Sequence, residues 1–255
     1  MTPCMELYND NFQNYRRYNI PRAQLVIADI PYNIGANAYG SSPLWYENGD
    51  RRNGESPKAG KAFFGTDGAF NIAEYFHFCN KLLKKEPKER GKAPCMIVFC
   101  GFQQLGDVIS YAKRYGFAHY IPLVFVKNFS PQVLKANMKI VGATEYGLVL
   151  YRDKLPKFNN EGHMVFNWFQ WRRDGGEYPK IHPTQKPVNL IKQLIGLFTD
   201  PGDVVIDPCA GSGSTLRAAM ELGRRSFGFE VSRPLYQLAK EKMLEGLSEQ
   251  MSLFY

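Results

Sequence analysis

The chain has 255 residues, of which 44% are hydrophobic and 14% aromatic, a composition typical of one large globular domain and not of a disordered protein. No stretch approaches the roughly 20 apolar residues of a membrane span, and the N-terminus lacks the form of a signal peptide. Five cysteines at irregular spacings predict reduced thiols, with neither disulfides nor a metal site. The net charge of +8 favours a polyanionic partner such as a nucleic acid.

Strands alternate with helices along most of the chain. Residues 1–20 predict a peripheral segment, and after them come a strand at 24–28, a long polar loop at 36–67, a helix at 71–85, a strand at 95–100, a helix at 105–115, strands at 121–126 and 144–151, an irregular basic and aromatic insert at 152–180, a helix at 188–198, strands at 204–207 and 226–229 and an amphipathic helix at 234–251. This order predicts an α/β fold with one mostly parallel, twisted sheet and helices on both faces.

The segment 203–230 has the pattern of half a nucleotide-binding sheet. A buried strand ends at Asp207, glycines at 211 and 213 form a turn, and Ser214 or Thr215 is expected to cap the next helix. Glu230 follows the second strand about 20 residues after the turn, where ribose hydroxyls are held in such folds. Leu216 stands where a dinucleotide motif has its third glycine, which disfavours NAD or FAD and favours an adenosine compound without a pyrophosphate.

A second candidate site follows the first confident strand. Asp29 and Tyr32 come at its carboxyl end, which is where ligands bind in open α/β sheets. The loop at 36–67 is long for a compact domain, which favours a functional or mobile segment.

Two separated stretches resemble motifs of the β-class S-adenosylmethionine-dependent DNA amino-methyltransferases. Asp29-Ile30-Pro31-Tyr32 resembles the catalytic Asp-Pro-Pro-Tyr motif. His182-Pro183-Thr184-Gln185-Lys186-Pro187, followed by the stretch 207–215, resembles the cofactor half, and Thr144-Glu145-Tyr146 also resembles a strand of the family. The catalytic motif comes first, which is the circularly permuted order of this class. The resemblance implies a single catalytic domain over residues 1–255 with a Rossmann-like methyltransferase fold.

The resemblance also implies an activity, the site-specific methylation of adenine N6 in duplex DNA. The Asp29 carboxylate and the Ile30 carbonyl would each accept one N6 hydrogen, Pro31 belongs to the same catalytic turn, and Tyr32 would stack on the flipped base. Glu230 would hold the ribose, and Thr184 and Lys186 the methionine carboxylate. The implied cofactor-binding residues are Thr184, Lys186, Asp207, Pro208, Cys209, Gly211, Gly213, Ser214, Thr215 and Glu230. The alternative interpretation of Lys186 is a solvated lysine before a helix, without a ligand contact. His182 is interpreted as a helix-entry residue.

Two positions depart from the family pattern. Ile30 replaces the first proline of the catalytic motif, which removes a fixed φ angle from the turn. Cys209 replaces a phenylalanine and is expected to pack less tightly near the cofactor. Activity is expected to survive both changes, because the backbone carbonyl of residue 30 is still present.

The predicted partner is double-stranded DNA. The loop 36–67 would contact it through Arg51, Arg52 and Lys58, and the insert 152–180, as a short target-recognition region, through Arg172 and Arg173, which could reach guanine edges or phosphates. Trp168 and Trp171 are interpreted as core or hinge residues. A homodimer, a cognate restriction endonuclease and a cytoplasmic location in a prokaryotic or phage-infected cell accompany this interpretation. A cytosine-N4 methyltransferase and a catalytically weakened DNA-binding relative remain as alternatives.

Overall fold

An eight-stranded sheet forms the centre of the computed structural model, which describes residues 4–31, 70–128, 132–135, 138 and 140–246. Tyr32, Arg51, Arg52, Lys58 and the predicted loop at 36–67 lie outside the described residues.

The predicted helices and strands occur in the predicted order, and the structure adds four strands, at 5–8, 132–135, 140–142 and 168–171. They are β1 (Met5–Tyr8), a 3-10 helix (Phe12–Arg17), β2 (Leu25–Asp29), α1 (Ile72–Leu82), β3 (Cys95–Cys100), a 3-10 turn (Phe102–Gln104), α2 (Leu105–Arg114), β4 (His119–Lys127), β5 (Gln132–Lys135), β6 (Ile140–Gly142), β7 (Thr144–Tyr151), β8 (Trp168–Trp171), α3 (Val188–Phe198), β9 (Val204–Asp207), α4 (Ser214–Glu221), β10 (Arg225–Phe229), α5 (Arg233–Leu238) and a π-helical turn (Ala239–Met243). β3, β7, α3 and β9 have the predicted bounds.

The strands lie in the order β1-β10-β9-β2-β3-β7-β4-β8, and β5 pairs with β6 in a separate hairpin. Every neighbouring pair in the large sheet is parallel except the two made by β7, which runs antiparallel to β3 and β4. The prediction of a mostly parallel sheet is therefore confirmed. β9, late in the chain, pairs with β2, near its start, so that Leu25 lies opposite Val205. This pairing brings the two separated motifs to one edge of the sheet.

Helices cover both faces of the sheet, as predicted. Side chains alternate between the faces along each strand, so Ile27 packs in one core with residues of α3 and α4, and Val26 in another with residues of α1 and α2. α3 buries six positions at helical spacing, Val188, Leu190, Ile191, Leu194, Ile195 and Phe198. No helix in the described ranges is long and apolar enough to cross a membrane.

Three predictions about elements were wrong in detail. The segment 1–20 contains β1, which adds a parallel edge strand beside β10 because Met5 and Leu7 pack against the core. The insert 152–180 is not irregular throughout, since β8 pairs in parallel with β4 and buries Trp171. The last helix begins at Arg233, because Ser232 caps it, and the helical segment ends at Met243, earlier than the predicted 251. Gly246 has φ 72°, which a helix does not allow, and residues 247–251 lie outside the described residues.

Candidate active site

Three acidic side chains meet where β2, β9 and β10 end. Asp29 closes β2, Asp207 closes β9 and Glu230 follows β10 directly. Burial raises the pKa of Asp207 to about 7, and the charges of Asp29 and Glu230 add to the rise, because like charges nearby oppose its ionisation. The predicted catalytic and cofactor motifs therefore share one site, and its negative charge suits a cationic ligand.

Glycine shapes the turn between β9 and α4. Gly211 has φ 53° and Gly213 has φ 79°, both in the left-handed region that residues with a Cβ rarely adopt. Gly213 is the N-cap of α4, so the prediction of a Ser214 or Thr215 cap was wrong. Ser214 instead lies within the first helical turn, where its Oγ is 3.0 Å from Ser212 Oγ.

The carboxylates of Asp207 and Glu230 hold this turn through hydrogen bonds to its backbone N–H groups. Asp207 Oδ1 accepts the Cys209 N–H at 2.9 Å. Pro208 is buried, and Thr215 also hydrogen-bonds to the Asp207 carboxylate. Glu230 Oε2 accepts the Gly211 N–H at 2.9 Å and Oε1 the Ser232 N–H at 2.7 Å. Burial raises the pKa of Glu230. A carboxylate offers about four lone-pair sites, so Glu230 keeps acceptor capacity for a diol.

The close approach of α4 to the sheet occurs at Gly228, not at residue 216. Leu216 is fully buried, and a Cβ added to Gly228 would lie 2.7 Å from Leu216 Cδ1 and 3.0 Å from Ala210 Cβ. The glycine that permits this contact is therefore on the strand, which explains how the helix tolerates leucine at its third position.

Asp29 belongs to a group of four charged side chains, Asp29, Lys127, Glu145 and Lys186, which we call the charge cluster. Lys186 Nζ lies 2.5 Å from Asp29 Oδ2 and 3.1 Å from Glu145 Oε2. Lys127 forms an ion pair with the same Glu145. The ring of Trp171 lies beside both lysines, with its centroid 4.3 Å from Lys127 Nζ and 5.2 Å from Lys186 Nζ. The four charged side chains are thus joined by ion pairs, and the ring of Trp171 packs against the two lysines.

The pKa values in the cluster follow from burial and pairing. For Glu145, burial opposes ionisation, but Lys186 and Lys127 outweigh it and hold the pKa below its ordinary value. For Lys186, burial acts against the charge, but Asp29 and Glu145 outweigh it and raise the pKa. Burial dominates at Lys127, whose pKa is lowered despite Glu145. Lys186 is therefore a charged buried lysine and not the solvated one considered as the alternative.

The segment before α3 directs Lys186 towards β2. Asp174 accepts the N–H groups of Val188 and Asn189 at 2.8 and 3.2 Å and so fixes the start of the helix. Gln185 donates to the Pro179 carbonyl at 2.9 Å. Thr184 is exposed, and its hydroxyl lies 3.0 Å from His182 Nδ1. The contacts of Thr184 and Lys186 with a methionine carboxylate stay predictions.

Two arginines follow Trp171, whose ring lies beside both lysines of the charge cluster. Trp171 is buried, which confirms its interpretation as a core residue, whereas Trp168 is 50% exposed and is not a core residue. Arg172 and Arg173 follow directly and are exposed. Arg172 donates twice to Gln170 Oε1, at 2.9 Å from Nε and 2.7 Å from Nη2. Both arginines are therefore accessible to a partner that covers the site.

Sequence patterns did not single out Lys127, Gln104 or the role of Glu145. Glu145 stands in the stretch that resembles a family strand, without a signal for its own role. Lys127 is an ordinary strand-terminal lysine until β4 and β7 pair. Gln104, whose Nε2 donates to the Pro31 carbonyl at 2.9 Å, carries no local signal.

Comparison with known proteins defines the family. The sequence pattern described as DNA methylase matches residues 23–241. The chain belongs to the DNA methylase family. The DNA adenine methyltransferase YhdJ of Escherichia coli is 25% identical to this family member over 261 residues, which cover 93% of the chain and 81% of YhdJ. The type II methyltransferase M.HindIII of Haemophilus influenzae is 47% identical over 168 residues, 61% of the chain and 52% of M.HindIII, so the match spans about half of that protein.

Solved structures confirm the Rossmann-like methyltransferase fold. The M1.HpyAVI–SAM complex has a TM-score of 0.66 at 20% identity, with 93% of the chain and 98% of M1.HpyAVI covered. The cytosine-N4-specific PvuII DNA methyltransferase has a TM-score of 0.68 at 17% identity, with 99% of the chain and 91% of that enzyme covered. Because a neighbour named as cytosine-N4-specific shares the fold, the fold alone does not identify the base.

Proposed function

We propose that this DNA methylase transfers a methyl group from S-adenosylmethionine to adenine N6 in duplex DNA. The observation that carries the proposal is the position of Asp29, which closes β2 beside the glycine-rich turn after β9 and is held by Lys186 at 2.5 Å. YhdJ, which is named an adenine methyltransferase and aligns with 93% of the chain, supports the choice of adenine.

The cofactor would lie along the turn between β9 and α4. S-adenosylmethionine, when bound, supplies an electrophilic methyl group on a positively charged sulfonium. Glu230 would hold the ribose hydroxyls, since its carboxylate is oriented by two backbone N–H groups. The backbone at Gly211 and Gly213 would face the methionine portion. The three acids at the ends of β2, β9 and β10 favour a cation there and disfavour an anionic pyrophosphate.

Asp29 and the Ile30 carbonyl would activate the amino group. Adenine N6 is a poor nucleophile because its lone pair is delocalised into the ring. When two fixed acceptors each take one N6 hydrogen, the nitrogen moves towards a tetrahedral state and its lone pair becomes available. Positive charge develops on N6 during transfer, and the two acceptors would stabilise it. Lys186, shared with Glu145, would hold Asp29 in place without neutralising it fully.

The substrate base has to leave the helix, because N6 cannot reach such a site within a duplex. Arg172 and Arg173, which directly follow Trp171 in the sequence, are exposed and would contact phosphates or guanine edges. Tyr32, Arg51, Arg52 and Lys58 keep their predicted roles in stacking and DNA contact. A homodimer and a cognate restriction endonuclease also stay predictions.

Asp29→Ala tests the proposed role of the carboxylate. We expect methyl transfer from labelled S-adenosylmethionine to plasmid DNA to be lost, because N6 loses one acceptor, while cofactor binding measured by calorimetry persists. Asp29→Asn is the matched variant, since it keeps the size of the side chain and removes the charge. Parallel loss of cofactor binding and activity in both variants would contradict the assigned role.

A further inference from the structure

The turn that follows β2 is held by a side chain from the turn that follows β3. Gln104 Nε2 donates to the Pro31 carbonyl at 2.9 Å, and Gln104 Oε1 accepts the Gly101 N–H at 3.0 Å. The Gln104 N–H in turn donates to the Gly101 carbonyl at 2.9 Å. The amide side chain is therefore anchored at both of its ends and ties the two turns together.

This contact reaches the position where the chain departs from its family motif. Ile30 replaces a proline, so the ring that would fix φ is missing. The Ile30 side chain is 1% exposed, and its N–H donates to the Phe99 carbonyl at 3.2 Å. The Gln104 bond holds the carbonyl of the next residue, Pro31. Because peptide units are planar, fixing the atoms on both sides restricts the direction of the Ile30 carbonyl between them.

We propose that Gln104 is a positioning residue for methyl transfer, which holds the Ile30 carbonyl in place of the missing proline ring. The inference rests on the proposed function, in which that carbonyl accepts an N6 hydrogen. Gln104 itself touches neither substrate nor cofactor in this account. Its effect is on the direction of an acceptor, so it acts on the chemical step and not on cofactor binding.

Two variants of Gln104 and one control at its neighbour test the contact. Gln104→Ala removes both bonds, and Gln104→Glu keeps the acceptor for Gly101 but replaces the donor to Pro31. We expect both to lower kcat about 3- to 10-fold, the value of one ordinary hydrogen bond, with an unchanged KM for S-adenosylmethionine. Gln103→Ala is the matched control, because Gln103 is the exposed neighbour, and it should leave kcat unchanged.

Ile30→Pro is a second change that should rescue the kcat of Gln104→Ala if Gln104 positions the Ile30 carbonyl, but not if Gln104 only stabilises the fold. Asp29 lies in a strand, the conformation that a residue before proline favours, so the preceding residue accommodates proline. The proline ring would replace the Ile30 N–H bond to the Phe99 carbonyl as the restraint on φ. In the Gln104→Ala background, Ile30→Pro should recover most of the lost kcat. A double variant that is slower than Gln104→Ala alone would overturn the proposal.

Hydrogen–deuterium exchange of the free protein gives a second readout that needs no activity. Gln104→Ala should speed exchange in the peptide covering 25–31 and leave the peptide covering 204–221 unchanged. Unchanged exchange at 25–31, or faster exchange with an unchanged kcat, would overturn the positioning role. A wild-type protein that methylates no DNA would refute the proposed function itself, and the exchange measurement separates that failure from failure of the Gln104 contact.

Discussion

Glu145→Gln perturbs the charge cluster most directly, because it removes a carboxylate that forms ion pairs with two buried lysines. Lys186 Nζ lies 3.1 Å from Glu145 Oε2, which corresponds to about 5 kcal/mol of Coulomb energy at an effective dielectric constant near 20. Removal of one partner from a buried pair costs about 3–5 kcal/mol. We therefore expect Tm to fall by about 6–20 °C in thermal unfolding followed by circular dichroism at pH 7.

The loss should be smaller at alkaline pH. Without Glu145, the pKa of Lys127, which burial already lowers, falls further in the folded state. The unfolded chain then binds more protons than the folded one between the two pKa values of Lys127, so the stability of the variant rises with pH in that range. The deficit against wild type should narrow between pH 7 and pH 10.

Two control variants make this prediction refutable. Lys127→Met combined with Glu145→Gln also removes the buried lysine charge that Glu145 pairs with in the wild type. The double variant should recover at least half of the stability that Glu145→Gln loses. Lys84→Met removes a lysine that is 41% exposed and paired with Asp203, so it should cost about 0–1 kcal/mol. The reasoning is refuted if Glu145→Gln costs no more than Lys84→Met, or if the double variant is no more stable than Glu145→Gln.

Three further changes test the rest of the site. Glu230→Ala should weaken S-adenosylmethionine binding about 10- to 100-fold in calorimetry, because a charged acceptor for the ribose is lost; an unchanged Kd would count against that contact. Gly228→Ala should lower the free energy of unfolding in urea by about 1–3 kcal/mol, since its Cβ would lie 2.7 Å from Leu216 Cδ1. In the Gly228→Ala background, Leu216→Ala should make room for the added Cβ, so that the double variant loses less stability than the sum of the two single losses. A loss equal to that sum would contradict the close contact. Replacement of Arg172 and Arg173 by glutamine should reduce the salt dependence of DNA binding by about 0.9 per phosphate contact; an equal slope would argue against phosphate binding by these arginines.

The glycine-rich half of the site could be predicted because its chemistry is local. The strand, the glycines at 211 and 213 and the acid at 230 are all within 28 residues of sequence, at 203–230, and each has a residue type suited to one task. The N-cap of α4 was missed because Gly213 competes with two good capping residues, and only its φ of 79° identifies it. The position of Leu216 could be interpreted only once Gly228 was seen opposite it.

The charge cluster could not be predicted, because it is formed by tertiary contacts. Its members come from β2, β4, β7 and the segment before α3. Asp29, Glu145 and Lys186 stand in recognisable motifs, but no local pattern shows that these side chains pair with one another or that Lys127 joins them. β8 was missed for a similar reason. Four residues with no strong alternation, in an aromatic and basic segment, form a strand only because β4 offers an edge for parallel pairing.

The proposed reaction is the transfer of a methyl group to adenine N6, and identification of the methylated nucleoside in the product DNA tests it. Unmethylated duplex DNA is incubated with the protein and isotope-labelled S-adenosylmethionine, digested to nucleosides and analysed by mass spectrometry. We expect labelled N6-methyl-deoxyadenosine from the wild-type protein and none from Asp29→Ala. Labelled N4-methyl-deoxycytidine, or no labelled nucleoside at all, would contradict it.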